Sequence, residues 1–213
     1  VLFVAMNGSD FNSGRNLKAP KRTIKAALAK ATRGTTIYVK SGDYTEQNPM
    51  YVPPFCTVVG DSLRTVTVRP EFPQEDLFYV NNGSYLTHMT FKDHVYPSAA
   101  VSFPPDGSAG TIFTSPYVQN CTSMTSTGTG LRIDGNLVEG LKSFVVDAFT
   151  QYNQGGIGVH HLNGGNSQLV SVFTICCDIG IYAESGGFCT LANSNSSFGN
   201  KALVCLLYTS PSP

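Results

Sequence analysis

Residues Phe3–Glu46 read FVAMNGSDFNSGRNLKAPKRTIKAALAKATRGTTIYVKSGDYTE. The apolar run Phe3-Val4-Ala5 has strand character and meets a cluster of Gly, Asn, Asp and Ser that reads as turn. Ile24, Ala27, Leu28 and Ala31 then fall at helical spacing, so one narrow stripe of a short helix is apolar. Lys21, Arg22, Lys25, Lys30 and Arg33 are expected to face away from that stripe, as a solvated face. Gly34 is a natural stop. The β-branched run Thr35-Thr36-Ile37-Tyr38-Val39 and the turn Ser41-Gly42-Asp43 follow. The residues themselves thus predict a strand, a short amphipathic helix and a second strand in that order.

Composition supports that reading. Charged residues make up only 13%, and there are 21 glycines and no tryptophan. A stack of short strands and tight turns suits such a chain better than a helical bundle. Fourteen Lys and Arg cancel fourteen Asp and Glu, which argues against a nucleic-acid-binding role. No run of 18 apolar residues is present, so no transmembrane helix and no membrane partner are expected. The chain begins with Val1 inside a strand pattern and is read as a fragment with sequence upstream. Cys205–Pro213 reads CLLYTSPSP, resembles translated sequencing-library adapter, and is set aside from the fold. The remaining Cys56, Cys121, Cys176, Cys177 and Cys189 are odd in number and form no Cys-x-x-Cys pair. Free buried thiols are expected, neither a disulfide framework nor a metal site. The Asn-x-Ser/Thr triplets at Asn7, Asn82, Asn120 and Asn195 are read as chance.

Beyond the cap, short β-branched and aromatic runs recur, among them Cys56–Val59, Thr65–Val68, Leu131–Ile133 and Ser143–Phe149. Gly158-Val159 lines up with Gly180-Ile181, Gly164-Gly165 with Gly186-Gly187, and Leu169 with Leu191, each 22 residues on. A period in the low twenties is one coil of a β-solenoid. Residues 1–46 are thus assigned to the cap helix and first coil, 47–204 to further coils, and 205–213 to the adapter. Roughly eight coils are expected, in a rod about 40 Å long. Val, Ile, Leu and Phe are expected inside, with Ser171, Asn193 and Asn195 stacked at turns. The segment 92–116 holds Pro97, Pro104, Pro105 and Pro116 and is read as a long flanking loop. Loops on rigid scaffolds carry binding. His94, Tyr96 and Phe103 are therefore the candidate contact residues.

No catalytic constellation emerges. Glycosidic hydrolysis needs two carboxylates about 6.5–9.5 Å apart, and acidic-polysaccharide lyases need clustered carboxylates with a cationic base. Asp134, Asp147, Asp178 and Glu184 do not align at the 22-residue offset. That register places Leu162 beside Glu184, whereas an offset of 24 would set Glu184 beside His160. The glycine pairs favour the first. His160-His161 is read as a turn or edge pair. No His-Glu-x-x-His, phosphate-loop or Gly-x-Ser-x-Gly motif is present, so no catalytic residue, cofactor or metal ligand is assigned.

Two resemblances extend this reading. Phe3–Glu46 resembles the N-terminal segment of the pectate-lyase-like superfamily. That implies a right-handed single-stranded parallel β-helix, a pectin-lyase-like solenoid, with a short N-terminal capping α-helix. The fold hosts lyases, hydrolases and phage tail and adhesion proteins alike. The stretch Ser143–Val204, above all DAFTQYNQGG at 147–156 and AESGG at 183–187, resembles virion structural proteins of large contractile-tailed phages of marine cyanobacteria. It implies a tail, baseplate or fibre component serving as rigid spacer or host-surface polysaccharide adhesin. Its partners would be other virion proteins, host polysaccharide and its own copies in a homotrimer, with assembly in the host cytoplasm. The alternatives are a polysaccharide lyase or glycoside hydrolase, free or tail-associated, and a bacterial surface adhesin.

Overall fold

The computed structural model describes residues 1–206. Residues 207–213 of the adapter-like stretch lie outside them, while Cys205 and Leu206 end the strand Lys201–Leu206. All strand pairs are parallel, and the chain winds as an all-β solenoid. Each later coil has a long bent arm, such as Ser143–Asn153, and a short arm, such as Ile157–Leu162. The long arms stack into an 11-stranded sheet and the short arms into a seven-stranded one, giving about seven turns, close to the eight expected. Equivalent residues in the last coils are 22 apart, with Val159 beside Ile181 and Leu169 beside Leu191, as the glycine pairs predict.

The long arm bends at one residue per coil. His88, Asn120, Ala148, Ser171 and Asn193 all adopt left-handed backbone there, with φ of 58°, 51°, 50°, 52° and 48°. Asn tolerates this region and Ala does not, so stacking on neighbouring coils overrides residue preference at Ala148. Ser171 and Asn193 thus occupy a turn as expected, whereas Asn195 opens the strand Asn195–Ser197 and pairs with Phe173. The other corner explains the glycine pairs. Gly164 and Gly186 have φ of 75° and 78°. A Cβ on Gly165 would lie 2.1 Å from the Ile133 carbonyl oxygen, so the second glycine of the pair permits close stacking.

The cap helix spans Ile24–Leu28, shorter than the sequence stripe, and buries Ile24, Ala27 and Leu28. Thr23 caps it by accepting from Ala26 N at 3.1 Å. The buried Glu46 carboxylate accepts from Ile24 N at 2.7 Å and Lys25 N at 3.1 Å. Lys21 does not face solvent. It precedes the helix, is buried, and donates through Nζ to the Asp10 carbonyl at 2.6 Å. Cys56, Cys121 and Cys177 are buried free thiols, while Cys176 and Cys189 are only half-buried.

The segment 92–116 is not one loop. Ala99–Ser102 is a strand of the seven-stranded sheet, paired with Phe78–Tyr79 and with the strand Thr129–Asp134. Thr111–Ile112 pairs with Glu139–Gly140 in a small side ribbon. The prolines flank the strand and leave its ladder intact. Phe103 is therefore core: it is fully buried and packs edge-on to Phe144 at 4.8 Å.

Candidate functional site

Strand alternation sends every second residue of the seven-stranded sheet outward. Its register stacks Tyr51, Tyr79, Ser102, Arg132, His160 and Tyr182 in one outer column. Two depressions adjoin along this column. One, of about 310 Å³, is lined by Pro49, Gln74, Glu75, Asp76, Tyr79, Pro97 and Arg132. The other, of about 320 Å³, includes Tyr96, Pro97, Thr127, Arg132, Gly156, His160 and Asp178. Pro97 and Arg132 line both, so they form one groove.

The Asp76–Arg132 pair divides the groove. The buried Asp76 carboxylate accepts from Ala99 N at 2.7 Å and Ser102 Oγ at 2.6 Å, and pairs with Arg132 Nη2. Arg132 Nη1 also donates to the Pro97 carbonyl at 3.0 Å, tying the 92–98 turn to the sheet. Further along, the His160 and Tyr182 rings stack at 4.8 Å with 9° between planes. Glu184 holds both: Oε1 lies 2.8 Å from His160 Nε2, and Oε2 accepts from the Tyr182 hydroxyl at 3.0 Å. Burial and then the Glu184 bond push the Tyr182 phenol up from its ordinary value.

The sequence reading set the 22-residue register against a His160–Glu184 contact. Both hold. His160 pairs with Tyr182, and Glu184, two residues further on the same face, reaches back diagonally. His160-His161 is neither a turn nor an edge pair, since both lie mid-strand in Ile157–Leu162. His161 points inward, bonds Ser167 Oγ at 2.6 Å, and is pushed down to about 4 by burial.

Of the three candidate contact residues, only Tyr96 reaches solvent, at 74% exposure, and it lines the groove. His94 and Phe103 are fully buried, so neither meets an external ligand in this structure. His94 Nε2 lies 3.0 Å from the Thr129 carbonyl, and its own carbonyl accepts from Thr125 Oγ1. It anchors the turn to the next coil, and burial lowers its pKa to about 4. Arg132, Tyr182 and Asp76 were missed. Aligning His160 with Tyr182 at the coil period would have found the stacked pair, whereas Asp76 carries no periodic signal. Among the described residues no His, Cys, Asp and Glu group of three or more could hold a metal ion, and no helix is long and apolar enough to cross a membrane.

The architecture is shared with a solved enzyme. Pectin methylesterase PemA from Erwinia chrysanthemi superposes with a TM-score of 0.51 at 12% identity, over 91% of this chain and 64% of that one. The fold is a pectin-lyase-like parallel β-helix. A rhamnogalacturonan lyase gives a TM-score of 0.48 at 11% identity, over 91% of this chain and 56% of that one. ORF18 of Geobacillus virus E2 gives 0.43 at 10%, over 85% and 58%. The chain thus spans less than two thirds of the length of each. Residues 6–84 match a family model described as a protein of unknown function, DUF1565. No curated protein matches the sequence.

Proposed function

We propose that this solenoid is a phage virion component that binds host-surface polysaccharide along its short-arm groove. The observation that carries the reading is His160 in the wall of an open groove, backed by the stacked Tyr182 ring, with the exposed Tyr96 in the same wall. His160 and Tyr182 cover one face of each other's ring, and this braced pair, the exposed Tyr96 ring and the fixed polar groups suit a sugar ring with its hydroxyls. Three carboxylates on this face have fixed partners: Asp76 holds Arg132 and Ser102, Glu184 holds His160 and Tyr182, and Asp178 accepts from Asn200. Such acids position a surface. The polysaccharide-acting neighbour supports the carbohydrate class, and the Ser143–Val204 resemblance supports the virion. Assembly in the host cytoplasm, other virion proteins as partners and a homotrimeric state belong to the same proposal.

The test is incubation with cyanobacterial surface polysaccharide, following retention together with new reducing or unsaturated sugar ends. Retention without new ends is expected, with Tyr182→Ala weakening it about tenfold, the equivalent of about 1.4 kcal/mol. Loss of neither retention nor affinity in Tyr182→Ala would remove the groove from the account. A second, enzymatic reading has one observation in its favour: His160 held by Glu184 is an oriented imidazole, the arrangement of a general base. New sugar ends that vanish in Glu184→Gln would put that reading first.

A further inference from the structure

A second, larger depression, of about 560 Å³, lies on the far side of the same turns. Val95 lines it while Tyr96 and Pro97 line the groove, and Gln154 lines it while Gly155 and Gly156 line the groove. A ridge of turns therefore separates the two.

Its walls differ in chemistry. Lys92, Met124 and Tyr152 stack in register along the outer face of the long arms. Met124 and Tyr152 stay exposed, and the Tyr152 hydroxyl accepts from Gln154 Nε2 at 3.3 Å. One coil before Lys92 on the same face, Arg69 is clamped between two carboxylates. It meets Asp43 through Nε at 2.8 Å and Nη2 at 3.1 Å, and Asp93 through Nη1. Asp93 holds left-handed backbone, φ 64°, a conformation that Asp tolerates better than most residues. Lys92 makes no ion pair among the described residues and balances the net negative charge of that triad.

We infer that this depression is a second glycan subsite, taking a neutral pyranose unit with its apolar face on Tyr152 and its hydroxyls toward Asp93, Lys92 and Gln154. Apolar side chains beside a few fixed polar groups are the makings of a small-molecule site. An anion would meet Asp93 in the lining, and Arg69 is already neutralised by its pair with Asp43. A wholly apolar ligand would leave the charged wall without solvent. The inference rests on the glycan-binding reading above, and the ridge keeps the two sites separately testable.

The probe is a set of neutral oligosaccharides released from the same surface polysaccharide, titrated calorimetrically into the intact chain. Two sites per chain are expected. Tyr152→Ala and, independently, Lys92→Gln weaken one of them about tenfold and leave the other untouched. Tyr182→Ala does the reverse. Affinity at the Tyr152 site should hold between low and high salt, because a neutral ligand has no charge to screen. Wild-type binding in both folded variants would overturn the inference while leaving the groove reading intact. So would steep salt dependence at that site, or retention of the intact polysaccharide with no second oligosaccharide site. Failure of the groove reading has a different sign: Tyr182→Ala binds as wild type.

Discussion

One interior column runs the length of the solenoid and changes character halfway. In register it reads Tyr44, Val68, Phe91, then Ser123, Gln151, Thr174, Ser196. The early coils fill this column with large apolar groups, and Phe78, Phe91 and Phe103 in those coils are all fully buried. The later coils place hydroxyls and an amide there, opposite glycines. A Cβ on Gly130 would meet Gln151 Oε1 at 2.3 Å, and one on Gly158 would meet Thr174 Cγ2 at 2.5 Å. The same strand geometry thus accepts either interior, with different energetics. Apolar burial is worth about 25 cal/mol per Å². A buried polar atom without a partner costs about 1–3 kcal/mol, and Gln151 Oε1 and Nε2 and Thr174 Oγ1 have none in the structure. The early coils should be the stable end, and the later ones should open first in hydrogen exchange.

The sharpest way to break that contrast is Phe91→Ala. It should cost about 3–5 kcal/mol in denaturant unfolding, and a cost under 1 kcal/mol would show that the early bore is not tightly packed. Next come two opposed responses to pH. His94 and His161 are held near 4 by burial, below their ordinary 6.5. Their contribution is complete above about pH 6.5 and is lost as pH falls through 4, up to about 3 kcal/mol each. Burial raises Glu46 from 4.5 to about 7, with its two backbone donors and Arg22 only partly offsetting it. Its contribution is complete below about 4.5 and is lost as pH rises through 7. Exchange should therefore quicken around His94 and His161 in acid and at the cap in mild alkali. His161→Leu should flatten the acid limb and Glu46→Gln the alkaline one, and identical pH profiles would refute the assignment. Glu46→Ala strips acceptors from two helix N–H groups, an expected loss of about 2 kcal/mol. The smallest effect belongs to Gln151→Leu, within about 1 kcal/mol of wild type because it removes two unpartnered polar atoms of similar volume. A loss above about 2 kcal/mol would instead reveal ordered water bonded to the amide.

The cap stripe at Ile24, Ala27 and Leu28 was readable because helical periodicity is local. The coil length was readable because paired glycines mark one corner in successive turns. The segment 92–116 was misread for a physical reason. Ala99–Ser102 is identified as a strand by partners at Phe78–Tyr79 and Thr129–Arg132, and nothing within the segment announces them. His94 and Phe103 looked like loop residues for the same reason. The His160–Glu184 contact was set against the correct register, because a sequence shows Cα alignment and not the diagonal reach of a side chain.

From the residues alone came an all-β solenoid, its coil length and its short N-terminal helix, since these follow from short-range periodicity and backbone chemistry. Only the tertiary structure decided which residues face the bore and which face the groove. Alternation along a strand leaves two phases open, and closure of each coil on its neighbours selects one.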